Sequence, residues 1–286
     1  MNSKITSMKV AGLNVLHFVP AEKRFGYSLF FEHGMWSNAA MFEAMMLAFG
    51  ELGYESYALD LPAHGQSCHG MFVGNLSLDY YADQTEKVLA SLGKRVIIVG
   101  HSMGGLLAAK IAEKSPFVVG YVGMTVAPSR GVMMGFKTMK RIWKYIPELA
   151  CKWAIEINPA DATALLFNTF DGERLKKCLG MLETESGLAG RQIALGAWTV
   201  KKLPCPALII AAKHDNITPR QKIMAEKLVR NPREGEDYAE VNCSHMVMLD
   251  ANYMEAVEAI DRWLKRDFGM SYLQPTPKTS PAALAA

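Results

Sequence analysis

The sequence predicts an α/β protein: a mostly parallel, twisted sheet of about eight strands with helices on both faces, and a helical cap inserted into it. Three observations carry this. Short runs rich in β-branched and aromatic residues alternate with stretches of helical periodicity, the order expected of parallel strands joined by helices. Several runs, Val96-Ile97-Ile98-Val99 and Ala207-Leu208-Ile209-Ile210 among them, are apolar throughout, as strands covered on both faces must be. Between residues 128 and 203 the alternation stops, and a segment rich in Met, Trp and Lys reads as a cluster of helices with no clear strand.

Along the chain, strands are expected over residues 9–18, 27–33, 54–60, 95–100, 118–126, 207–212 and 238–241, each a short apolar or β-branched run. Helices are expected over 39–52, 79–92, 104–113, 220–230 and 253–266. In the last of these Val257, Ile260 and Leu264 form one apolar stripe. Residues 1–127 and 204–270 are therefore assigned to the sheet domain and 128–203 to the cap. The final stretch, 271–286, mixes Pro, Ser, Thr and Ala without the apolar content to dock, and is expected to be a flexible tail.

A chain of 286 residues can bury a sizeable core; with half its residues apolar and 21% charged, it fits none of the disordered, collagen-like or disulfide-stapled classes. Lys and Arg number 31 against 28 Asp and Glu, a surplus too small to hold a phosphate backbone by counterion release, so nucleic acid is not an expected partner. Five cysteines (Cys68, Cys151, Cys178, Cys205, Cys243) show no CxxC spacing, and the odd count points to reduced thiols and a cytoplasmic location. Charged residues interrupt positions 1–26, leaving no signal-peptide core. The longest apolar stretch, 117–127, falls short of the roughly 18 residues that crossing a bilayer requires.

The sharpest motif is Gly100-His101-Ser102-Met103-Gly104, a G-x-S-x-G placed after an apolar strand and before a small-residue helix. A nucleophile on so tight a turn has a strained backbone, so Gly100 and Gly104 must lack side chains that would collide. The turn lifts the Ser102 hydroxyl clear of the sheet. At the helix N-terminus, the Met103 N–H can donate to a developing oxyanion. Neither an H-E-x-x-H nor a phosphate loop is present, and Cys68-His69 with His64 is a weak metal pattern, so no metal or cofactor is expected.

From this motif outward, over about residues 9–267, the chain resembles the α/β-hydrolase fold superfamily, in the style of its esterases, lysophospholipases and monoacylglycerol lipases. His33-Gly34-Met35-Trp36 looks like the family's His-Gly segment, which implies that Met35 supplies the second oxyanion N–H. Asp60-Leu61-Pro62-Ala63-His64-Gly65-Gln66-Ser67 is similar to its D-x-P-G-x-G-x-S loop, with Ala63 for Gly. The end of the 207–212 run resembles the strand that presents the catalytic acid, here Asp215, with Ala212 where Gly is usual. Asn242-Cys243-Ser244-His245 resembles the loop of the catalytic histidine, here His245. Chemistry agrees: a serine hydroxyl needs an imidazole to take its proton, and the imidazole needs a carboxylate to fix its tautomer. His33 and His101 read as packing or hydrogen-bonding groups, His214 as facing away, and Asp60 as a brace for the loop that follows it.

The expected function is cleavage of carboxylic esters of apolar acyl or aromatic substrates through an acyl-enzyme. Thioester, lactone or carbon–carbon cleavage on the same triad, and a near-silent ligand-binding member of the fold, remain open alternatives. Trp36, Met134, Trp143, Phe167 and Met246 are the candidate pocket residues, and the small-molecule ester is the expected partner. Over 136–146, Lys137, Lys140, Arg141 and Lys144 accompany Met139, Ile142, Trp143 and Ile146 at helical spacing. Such a helix can make weak contact with an anionic lipid surface or simply present a solvated basic face.

Overall fold

The computed structural model describes residues 4–67, 70–230 and 237–269; the expected tail and the Cys68-His69 pair lie outside the described residues. The chain opens with a hairpin, β1 (Thr6–Val10) and β2 (Leu13–Phe18), where a single strand was expected over 9–18. Ala11 and Gly12, both at positive φ (49° and 85°), turn the chain back in two residues. Next come β3 (Ser28–Glu32), α1 (Glu43–Glu51, entered through a 3₁₀ turn at Ala39–Phe42) and β4 (Ser56–Leu59). Helix α2 (Leu78–Leu92) is capped by the Ser77 hydroxyl, which accepts from the Tyr80 amide, and ends at Gly93 with φ 62°. Strand β5 (Val96–His101), α3 (Met103–Ala112) and β6 (Val118–Met124) follow.

The insertion between β6 and β9 holds α4 (Phe136–Ile142), α5 (Ile146–Cys151), β7 (Ala154–Ile155), α6 (Pro159–Leu165), α7 (Gly172–Leu179), β8 (Glu185–Ser186) and α8 (Gly187–Ala194). The cap is thus not purely helical, because β7 and β8 pair antiparallel. Two residues per strand carry no readable alternation, so the sequence could not announce them. The basic segment 136–146 is not one helix either: a 3₁₀ turn at Trp143–Tyr145 separates α4 from α5, which has Pro147 in its first turn. The chain closes with β9 (Ala207–Ala212), α9 (Gln221–Leu228), β10 (Tyr238–Val241) and α10 (Tyr253–Phe268).

The eight core strands form one sheet in the order β1-β2-β4-β3-β5-β6-β9-β10, parallel from β4 to β10, with the β1–β2 hairpin added antiparallel at one edge. Alternate residues of β5 feed opposite faces. Ile97 and Val99 join Phe31, Phe49, Ile260 and Trp263 under α1 and α10, while Val96 and Ile98 join Leu106, Leu107 and Tyr121 under α3. A strand buried on both sides reads as continuously apolar for this reason. The parallel strands all point their carboxyl ends toward the cap's side of the sheet, where β5, β9 and β10 release Ser102, Asp215 and His245.

Candidate active site

Ser102 is the single residue between β5 and α3, at φ 52° and ψ −117°. A non-glycine residue held in such a region costs on the order of 1–3 kcal/mol, and surrounding contacts must maintain it. The Ser102 amide donates to the Met124 carbonyl at 2.9 Å, and its carbonyl accepts from the Ala127 amide at 2.9 Å. Close packing explains the flanking glycines: a Cβ on Gly104 would sit 2.3 Å from the Glu32 carbonyl oxygen, and one on Gly100 2.4 Å from the Gly104 carbonyl oxygen.

His245 Nε2 lies 3.0 Å from Ser102 Oγ, and its Nδ1 lies 2.9 Å from Asp215 Oδ1. A carboxylate can only accept, so Nδ1 carries the proton and Nε2 accepts the Ser102 O–H. All three side chains are buried. Asp215 Oδ1 also accepts the amides of Ile217 (2.7 Å) and Thr218 (3.0 Å), and Oδ2 accepts the Thr218 hydroxyl at 2.6 Å. Burial alone would raise the Asp215 pKa, but the His245 imidazole and the Thr218 donors outweigh it and hold the acid below its ordinary value, hence ionised. Ala212, the departure from the family's usual Gly, lies in ordinary strand geometry and needs no glycine.

Other candidates have different partners. His101 donates from Nε2 to the His245 carbonyl at 2.9 Å, joined there by the Thr125 hydroxyl at 3.1 Å, and burial lowers its pKa to about 3. His33 Nε2 accepts the Leu61 amide at 3.1 Å, which leaves Nδ1–H to donate to the Gly34 carbonyl at 2.9 Å. Asp60 accepts from Ala39, Gln66 and Asn14, so it braces loops; His214 meets Asn242 at the surface. Thr218 and Thr125 were not singled out from sequence. The first was legible as a hydroxyl three residues past an Asp in a turn. The second, at φ 44°, gave no local signal.

Gly34 packs so tightly on the nucleophile that a Cβ there would come within 2.8 Å of Ser102 Cβ, which sets the Gly34-Met35 segment directly beside Ser102. Met103 opens α3 on the other side. Among the described residues no protein acceptor takes the amide of Met35 or Met103.

Residues 29–260 match the alpha/beta hydrolase family. The chain belongs to that family. A protein of Mycobacterium phage D29 named as a non-heme haloperoxidase is 24% identical over 232 residues, 72% of this chain and 78% of the relative. Among solved structures, a membrane phospholipase A described as a bacterial virulence factor superposes with a TM-score of 0.68 at 18% identity, covering 93% of this chain and 87% of its own. A thermophilic esterase from Thermogutta terrifontis superposes with a TM-score of 0.67 at 15% identity, covering 92% and 98%.

In this alpha/beta hydrolase the cap roofs a cavity of about 60 Å³ against Ser102 and His245, walled chiefly by apolar groups including Met35, Trp36, Met134, Ile142, Leu165 and Ile217. Of the expected pocket residues, Trp36 and Met134 line this cavity. Trp143 instead lines a wider outer groove of about 890 Å³, and Phe167 and Met246 are fully buried in the packed core. Met134, Ile142, Leu149 and Ile193 form a wall shared by cavity and groove. Among the described residues no cluster of three or more His, Cys, Asp or Glu is placed to hold a metal, and no helix is long and apolar enough to cross a membrane.

Proposed function

We propose that the protein hydrolyses carboxylic esters through an acyl-enzyme on Ser102. The observation that carries this reading is the continuous Ser102–His245–Asp215 hydrogen-bond chain at the floor of an apolar cavity. His245 takes the Ser102 proton as the oxygen attacks the ester carbonyl, then returns it to the leaving alkoxide, while Asp215 fixes the tautomer and stabilises the imidazolium. The Met35 and Met103 amides hold the tetrahedral oxyanion, a contribution worth about 10²–10³ in rate per donor. Water, activated by His245, then releases the acid. The ester-cleaving names of the phospholipase and esterase neighbours support the class.

The cavity's lining recommends an apolar acyl group, one that fits beneath the cap as it stands or is flexible enough to displace Met134 and Ile142 toward the outer groove. Hydrolysis of p-nitrophenyl esters from acetate to palmitate, with Ser102→Ala beside every assay, tests both points. Turnover that depends on Ser102 is expected. Its absence on every ester would overturn the reading and direct attention to thioesters or carbon–carbon substrates.

A second feature recommends contact with an anionic lipid surface. Met133, Phe136, Met139, Trp143, Ile146 and Leu195 are all exposed around the outer groove, Phe136 by 80%. Residues 130–152 also carry six cations against Glu148 alone. A second copy of the chain on this face would bring like charges together, whereas an anionic bilayer complements them. Arg141 and Lys144 are partly spent on Asp161, at 2.7 and 2.6 Å. Flotation with phosphatidylglycerol vesicles should carry the protein upward and should fail with Phe136→Ser/Trp143→Ser. A wild-type protein that stays at the bottom rejects the lipid contact. The free thiols of Cys151, Cys178, Cys205 and Cys243 support a reducing, cytoplasmic setting.

A further inference from the structure

Trp36 follows Met35 in the loop beside the nucleophile and sits at φ 59°, in the left-handed region. That conformation is unfavourable for a bulky residue and persists only where neighbours over-determine it. Here the neighbours belong to the cap. The Trp36 carbonyl accepts the Glu183 amide at 3.1 Å, and Trp36 Nε1 donates to the Ile155 carbonyl on β7 at 3.2 Å. The Glu183 carboxylate then bridges two core loops: Oε1 accepts from Asn38 Nδ2 at 2.6 Å, and Oε2 accepts from the Gly65 amide at 2.8 Å.

One cap residue thus makes three hydrogen bonds onto the core, two of them to Trp36 and Asn38 in the segment that follows Met35 and the third to Gly65 in the neighbouring loop. We propose that Glu183 is a positioning residue for the oxyanion hole, setting the Met35 amide from the cap side and so coupling the seating of the cap to the rate of acylation. The inference rests on the serine-hydrolase reading above. Its physical basis is the narrow window in which an oxyanion donor works, about 2.7–3.1 Å from the developing charge. A loop free to relax out of its strained conformation takes the Met35 N–H out of that window without touching the triad.

Donor–acceptor logic supplies a rescue. In Glu183→Ala both side-chain bonds are lost while the main-chain bond to Trp36 remains. In Glu183→Gln the amide oxygen accepts from Gly65 and the NH2 donates to Asn38 Oδ1, a buried oxygen with no other partner that a turn of the Asn38 amide presents, so both bonds are restored. We would measure kcat, KM, thermal midpoint and inhibition by phenylboronic acid, whose tetrahedral Ser102 adduct uses the hole.

For Glu183→Ala the expected result is a fall in kcat of about 10- to 100-fold, part of what losing a whole donor costs. KM should stay within about twofold, boronate binding should weaken in parallel, and Glu183→Gln should recover to within about threefold of the wild type. If Glu183→Ala does not fold, Asn38→Ala, which removes one bond, should show the same kcat and boronate pattern at about a few-fold. Unchanged kcat in Glu183→Ala, a change in KM alone, or a Glu183→Gln that keeps its thermal midpoint without its kcat would overturn the proposal. Failure of the underlying reading looks different: Ser102→Ala would then keep its turnover, whereas Ser102-dependent turnover indifferent to Glu183 sinks the positioning role alone.

Discussion

His101 holds the main chain of His245: its Nε2–H donates to the His245 carbonyl at 2.9 Å, and the two rings lie 5.0 Å apart. The residue next to the nucleophile therefore anchors the loop of the base. Burial keeps His101 neutral at working pH, with a pKa of about 3, so its role is geometric. His101→Leu should lower kcat about tenfold with little change in KM, because the Thr125 hydroxyl still holds the same carbonyl and limits the displacement. Steady-state kinetics on a short p-nitrophenyl ester would show it, and a wild-type kcat would mean Thr125 suffices.

Asp215→Asn should leave the fold intact and cut kcat by about 10⁴, since an amide facing Nδ1 favours the wrong imidazole tautomer. The loss should be nearly all in kcat. A variant that turns over at close to the normal rate would move the acid's role to another carboxylate.

Gly34→Ala places a methyl group 2.8 Å from Ser102 Cβ, with backbone and the His101 ring close on its other sides. The Gly34-Met35 segment must shift, and the oxyanion donor proposed for Met35 goes with it. A drop of about 10²–10³ in kcat is expected, with Ser102 still labelled slowly by a fluorophosphonate probe. Labelling at the wild-type rate would show that the loop accommodates the methyl group without moving its amide.

Glu32, at the end of β3, is fully buried; burial raises its pKa to about 8, against a single bond from the Thr85 hydroxyl at 2.7 Å. Below about pH 4.5 both folded and unfolded chains carry the proton, and the residue costs nothing. As pH rises from there to 8, folding must take up a proton, and stability falls by about 1.4 kcal/mol per pH unit. Glu32→Gln removes that dependence. It should be about 3 kcal/mol more stable than the wild type at pH 7 and indistinguishable near pH 4, by denaturant unfolding at each pH. Equal pH profiles for the two proteins would mean that Glu32 stays ionised in the fold.

Strand runs such as 96–100 and 207–212, the elbow around Ser102 and the order Ser, Asp, His were legible in the sequence because each is a local demand: an apolar strand, a turn without side chains, a loop after a strand. What periodicity cannot say is which neighbour a face will meet. Phe167 and Met246 carry the same apolar signal as Trp36 and Met134, yet the first pair fills the core and the second lines the cavity. Strands β7 and β8 hold two residues each, too few for any period, and the turn at Ala11-Gly12 puts an alanine at positive φ where asparagine is the usual marker. Glu183 meets Asn38 across 145 positions of chain. The sequence by itself determined the class of fold and the chemistry of the nucleophile, since both follow from backbone sterics within a few residues. Only the tertiary structure decided which cap residues brace the loop beside Ser102 and which apolar groups face the substrate, because those depend on how separately formed elements pack.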